Sequence, residues 1–96
     1  MSISAKQKQH LKALAHALKA VVIIGSNGLT QAVLDEIDHA LTYHELIKVK
    51  IGGAEREERL QIAEEIATSL KAETIQIIGR VGIFYRASEK QKIQLP

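Results

Sequence analysis

Gly25-Ser26-Asn27-Gly28 places two glycines three residues apart, between a short β-branched run and an amphipathic segment whose first acid is Asp35. The N-terminus of a helix presents N–H groups without intrahelical partners and a positive partial charge, so it attracts phosphate. Glycines just before it permit a positive φ and let a ligand approach the main chain with no side chain in the way. The loop is therefore a candidate anion cradle, although a tight turn alone would also explain its glycines. It lacks the longer G-x-G-x-x-G and G-x-x-x-x-G-K-[ST] patterns, which argues against a nucleotide-hydrolysing enzyme.

A set of cations forms the second constellation. Lys8, Lys12 and Lys19 fall within ~40° of one another on a helical wheel. Lys48 and Lys50 alternate out of an apolar strand, and Arg80, Arg86, Lys90 and Lys92 follow near the end. Each one alone reads as a solvated surface charge; as a set they are candidates for contacts to a polyanion. Phe84 and Tyr85 are adjacent on a strand, so one is expected in the core and its neighbour on the open sheet face, where it could stack on a base. Tyr43 is expected to pack at the end of its helix. Asp35 and His39 share a helix face at i and i+4, but no third ligand follows at a recognisable spacing, so no metal site is expected. His10 and His16 lie in the basic first helix. No Ser/His/Asp triad can be assembled by spacing, carboxylate pairs such as Glu57 and Glu58 read as solvated helix surface, and there is no cysteine to act as a nucleophile. No catalytic residue is assigned.

These residues need elements to position them. Ser4 to Leu18 reads as a helix with Ser4 as N-cap and Leu11, Leu14 and Leu18 as its buried stripe. Val21 to Ile24 is a continuous apolar run closed by Gly25, expected as a central strand buried on both faces. A second helix starts near Leu29 or Thr30, with Leu29, Val33, Ile37 and Leu41 on its inner side. Leu46 to Ile51 alternates as a strand with one packed face, ended by Gly52 and Gly53. A third helix carries Leu60, Ala63, Ile66, Ala67 and Leu70. It opens with Glu55, Glu57 and Glu58, which suit its dipole but repel phosphate, and closes near Lys71. Thr74 to Ile78 and Val81 to Arg86 are strands joined at Gly79-Arg80, and Ser88 to Pro96 reads as a polar tail. The order α-β-α-β-α-β-β implies an α/β (α+β) fold with a four-stranded mixed sheet and helices on at least one face.

At 96 residues, 46% hydrophobic and 25% charged, the chain is expected to form a single domain over residues 1–96. The polar start MSISAKQKQH is not a secretory signal, and no run approaches a membrane span, so a cytoplasmic protein without membrane contact is expected. The net charge of +2 is unevenly spread: +4 over residues 1–34, −5 over 35–73 and +3 over 74–96. Such a partition allows a two-faced molecule, and a basic face is the usual footprint of nucleic-acid binding.

The stretches VVIIGSNGLTQAVLDEIDHAL, HELIKVKI and IQIIGRVGIFYRASEKQKIQLP, preceded by LKALAH at Leu11, resemble the YhbY family of bacterial ribosome-associated RNA-binding proteins, the stand-alone form of the CRM (chloroplast RNA splicing and ribosome maturation) domain. The resemblance covers nearly the whole chain. It implies a fold like the C-terminal domain of translation initiation factor three, and binding to ribosomal RNA of the large-subunit precursor during ribosome assembly. It also implies that the GxxG loop Gly25, Ser26, Asn27 and Gly28 contacts RNA, supported by Lys8, Lys12, Lys19, Lys48, Lys50, Arg80, Arg86 and Lys90. The family commonly has a lysine after the first glycine, where this chain has Ser26. Main-chain N–H groups with the Ser26 and Asn27 side chains would then make the phosphate contact. A monomer without cofactor is expected. The alternative is a protein-interaction module on the ribosome, docking through the half-open sheet or the acidic third helix.

Overall fold

The computed structural model describes residues 3–53 and 55–96, so the first two residues of the polar start lie outside the described residues. The elements run α1 (Ala5–Ala15), β1 (Ala20–Ile24), α2 (Gln31–His44), β2 (Leu46–Ile51), α3 (Arg56–Leu70), β3 (Glu73–Ile78) and β4 (Val81–Tyr85). This is the expected order. The four strands form one mixed sheet in the order β1-β2-β4-β3, with β1 parallel to β2 and the other pairs antiparallel.

Ser4 caps α1 through a reciprocal capping box: its hydroxyl accepts from the Gln7 N–H, and its own N–H donates to Gln7 Oε1, both at 3.1 Å. The helix stops at Ala15, short of the predicted Leu18, with His16 as its C-cap. Leu11 and Ala15 are buried, whereas Leu14 and Leu18 are 41% and 39% exposed. Leu14 is turned ~100° from Ala15 on the helix, so both cannot face the sheet. Lys19 lies beyond the helix, and the wheel that grouped it with Lys8 and Lys12 does not apply to it.

β1 is an edge strand, not the central one expected. Because β4 is inserted between β2 and β3, β1 has β2 alone as neighbour. Val22 and Ile24 are buried while Ile23 is 67% exposed. A continuous apolar run reads the same whether one face or both are covered.

The sheet has two cores. On one face α2 and α3 bury Val22, Ile24, Ile47, Val49, Ile51 and Phe84 beneath Ile37, Leu41, Ala63 and Ile66. Gly82 makes room for the Phe84 ring, since a Cβ there would lie 2.8 Å from Phe84 Cε2. On the other face Leu11 and Ala15 of α1 pack over Leu46, Ile75, Ile83 and Tyr85, joined by Ile3, Ala87, Ile93 and Leu95. The tail is therefore part of the packed structure rather than a merely polar extension.

Two side chains anchor the chain where it leaves β4, and the first of them fixes the tail. Glu45, wholly buried at the C-cap of α2 with φ 67°, accepts hydrogen bonds from the N–H groups of Ser88 (2.8 Å), Lys92 (3.1 Å) and Ile93 (2.8 Å) and from the Ser88 hydroxyl. Burial alone would push its carboxyl up. The Ser88 hydroxyl and then the main-chain donors of Ile93, Ser88 and Lys92 outweigh that and hold it below the usual value. Burial, followed by the Glu45 charge, pushes the Tyr85 phenol up. Arg86 reaches the other way, donating to the Asp38 carboxylate (2.8 Å), the carbonyls of Leu70 (2.9 Å) and Asp38 (3.1 Å), and the Thr42 hydroxyl (2.8 Å).

Candidate functional site

The glycine loop forms a turn closed by Gly28 N–H donating to the Gly25 carbonyl at 3.1 Å, with Gly28 at φ +74°. Gly28 is thus required by the turn itself. Gly25 differs: a Cβ there would meet nothing within 4 Å, and its φ is not in the left-handed region. The fold has no steric need for that missing side chain, which leaves main chain open from outside. Ser26 and Asn27 are exposed. Thr30 then caps α2, its hydroxyl accepting from Val33 N–H at 3.2 Å, and the first turn of the helix holds no acid.

Two other segments meet the loop at this end of the sheet. Gly52 N–H donates to the Ile24 carbonyl at 2.9 Å, and Gly53, at φ +68°, lies so close that its Cβ would sit 3.4 Å from Ser26 Cα. The Gly79-Arg80 turn is tied in by Ile51 N–H donating to the Arg80 carbonyl at 2.6 Å. The loop, the Gly52-Gly53 junction and Arg80 therefore share the C-terminal end of the parallel pair β1 and β2, where ligands of α/β sheets bind. Lys50 belongs to the same end, paired in register with Ile23 and Val81. Arg56 and Arg59 of α3 border a small hollow with Gly79, and sequence reasoning passed over them among the glutamates. Their i, i+3 spacing on one helical face was the available signal. Glu55, Glu57 and Glu58 open α3 as expected, and Glu55 makes no side-chain cap.

The remaining cations fall into two groups. Lys8 and Lys12 lie on α1, across the second face of the sheet, and Lys48 projects to that face, where its ammonium donates to the Leu18 carbonyl at 3.0 Å. Lys19 follows Leu18 directly. Arg86 and Lys90 stand at the far end, beside the C-terminal end of α2. Arg86 is only 22% exposed, and its guanidinium bridges α2 and α3, so the structure gives it an internal role in place of the surface contact expected.

The aromatic expectations are overturned. Phe84 and Tyr85 are both buried, one in each core, because α1 and the tail cover the face to which Tyr85 points. Neither offers a stacking surface. Tyr43, expected to pack, is 70% exposed, with the Lys92 ammonium 4.7 Å from its ring centroid and the His44 ring edge-on at 5.0 Å. Asp35 accepts from Gln31 Nε2 at 2.9 Å. Among the described residues no three His, Asp or Glu side chains come together to hold a metal, and no helix is long and apolar enough to cross a membrane.

Residues 3–86 match the family model described as the CRS1 / YhbY (CRM) domain. A Haemophilus influenzae protein named as an RNA-binding protein is 54% identical over 95 residues, covering 99% of this chain and 96% of that protein. A Pseudomonas aeruginosa protein named as a probable RNA-binding protein is 40% identical over 90 residues, covering 94% and 86%. The solution structure of a Staphylococcus aureus protein, described as a hypothetical protein and a candidate RNA binder, superposes with a TM-score of 0.86 at 32% identity, covering 99% of this chain and all of that one.

Proposed function

The chain belongs to the CRS1/YhbY (CRM) domain family, and from that premise we propose that it is a single, non-enzymatic RNA-binding domain that engages ribosomal RNA of the large-subunit precursor during ribosome assembly. The observation that carries the reading is the glycine loop. Its first glycine has no steric task in the fold, its helix start is free of acid in the first turn, and Lys50 and Arg80 share its end of the sheet. Main-chain N–H groups, Ser26 and Asn27 there bind phosphate, and the lysines of α1 and β2 extend the contact. The protein acts as a cytoplasmic monomer and needs no cofactor.

With ~3 to 5 phosphates neutralised, log K falls against log salt with a slope of roughly −2 to −4. Titration of ribosomal RNA fragments over a salt series measures it, and an affinity indifferent to salt contradicts the reading. Gly25→Ala, whose Cβ would meet nothing within 4 Å, should weaken binding severalfold at unchanged stability, and Gly25→Val, which covers more of the main chain, should weaken it roughly tenfold. Crosslinking in cells followed by sequencing of the bound RNA tests the ribosomal assignment, which fails if large-subunit precursor RNA is not enriched.

One observation favours the alternative of a protein contact. Ile23, Lys50, Val81 and Ile78 stand side by side across the second face, and Ile23 and Ile78 are 67% and 57% exposed. Ribosome association that survives ribonuclease treatment would support it.

A further inference from the structure

A groove of about 730 Å³ lies between the C-terminal half of α2 and the tail, bordered by His39, Tyr43, Arg86, Lys90 and Lys92. That is the size of a ligand pocket, which runs ~300–1,000 Å³, and the glycine loop lies at the opposite end of α2, ~20 Å away along a helix of this length. Of the chain's phenylalanine and tyrosine rings, Tyr43 is the one that is not buried. It is also held in place. Lys92 lies over the ring and its ammonium donates to the Tyr43 carbonyl at 2.6 Å, while the main chain of Lys92 is fixed by the buried Glu45. The rim around the ring is positive: Arg86 is matched by Asp38, the exposed Lys90 and Lys92 outnumber the exposed Glu89, and the Glu45 carboxylate is buried beneath, taken up by main-chain donors. A fixed, solvent-facing ring beside two ammonium groups suits a ligand with a flat π face and a negative charge.

We infer that this groove is a second RNA site, which takes an unpaired nucleotide with its base on Tyr43 and its phosphate against Lys90 and Lys92. The inference rests on the RNA-binding reading and adds a preference that the glycine loop cannot supply. Phosphates are offered by paired and unpaired RNA alike, whereas stacking requires a base outside a duplex. A strand that engages both sites spans α2 from end to end.

The test is a titration of the full chain with a heptanucleotide of adenosine, followed by NMR of the tyrosine rings and by affinity measurement. The Tyr43 ring resonances should move upfield while those of buried Tyr85 stay in place. Tyr43→Ala should weaken the heptamer roughly tenfold, the scale of one base–aromatic stack, and should leave a fully paired RNA bound as before. Tyr43→Phe should bind like the parent, which separates stacking from loss of the phenol. Tyr43→Trp, with a larger ring, should bind at least as well. If the heptamer shifts the amides of residues 25–32 but not the Tyr43 ring, or binds Tyr43→Ala unchanged, the second site is overturned and the loop reading stands. If neither RNA binds at all, both fall.

Discussion

At the residue scale the two loop glycines separate into different tasks. Gly28 sits at φ +74°, so Gly28→Val strains the turn and should cost ~1–2 kcal/mol in urea denaturation as well as RNA affinity. Gly25→Ala should cost affinity alone. Undiminished RNA affinity in folded variants at both glycines would show that the loop is only a turn. The pattern GSNG reveals the pair of glycines but not this division, because the sequence does not say which Cβ has room. Glu45 is the other residue whose task was hidden. It lies in the acidic stretch of residues 35–73 with no local signal to set it apart, and it proves to be a buried clasp with three main-chain donors. Its carboxyl is held below the ordinary 4.5, so its stabilisation is complete above that pH and is lost as pH falls through the lowered folded value. Amide exchange at Ser88 and Ile93 should accelerate in that acid window. Glu45→Gln should already be destabilised by ~1–3 kcal/mol at neutral pH, because one acceptor oxygen becomes a donor facing N–H groups. Protection of both amides that persists after the Glu45 carboxyl has been protonated would contradict the clasp.

At the element scale the boundaries were legible wherever local chemistry sets them. The Ser4 capping box, the Thr30 cap and the Gly79-Arg80 turn all involve residues within three positions of one another, and all stand where the sequence puts them. What failed was the reach of an element beyond its local signal. α1 ends at Ala15 because packing on the sheet rewards Leu11 and Ala15 only, and β1 lies at an edge because β4 inserts elsewhere. Arg86 shows the consequence for function. A cation just past a terminal strand reads as a surface contact, but here it joins Asp38 and Thr42 of α2 to the carbonyl that ends α3. Arg86→Lys should destabilise the fold by ~1–2 kcal/mol, since an ammonium cannot reproduce the planar fork that reaches all four acceptors. The loss stays small because Asp38 is 46% exposed and solvent screens the pair. Thermal denaturation decides it, and a Lys variant as stable as the parent would return Arg86 to the surface set.

At the scale of the whole molecule the uneven charge becomes a polarity of faces. α2 carries Asp35, Glu36 and Asp38 without a lysine or arginine, and α3 carries Glu57, Glu58, Glu64 and Glu65 against Arg56 and Arg59; both helices cover one face of the sheet. α1, with Lys6, Lys8 and Lys12 and no acid, crosses the other, beside Lys48 and Lys50. Removing Lys8 and Lys12 together should weaken binding of all RNA sequences to a similar degree and reduce the salt slope by about 2 at most. A changed sequence preference in filter binding would contradict a phosphate role. Glu64→Gln with Glu65→Gln, on the acidic face, should leave the slope unaltered.

The sequence by itself determined the element order, the mixed sheet, the glycine loop with its acid-free helix start, and the separation of acids from bases along the chain. These are local properties: periodicity, caps and turns act over a few residues. The tertiary structure decided which strand lies at the edge, that Phe84 and Tyr85 are both covered, that Arg86 is turned inward, and that Tyr43 stands exposed above a groove closed by the tail. Each of these depends on what another element, dozens of residues away, covers or leaves open, and a chain read in order carries no record of that contact.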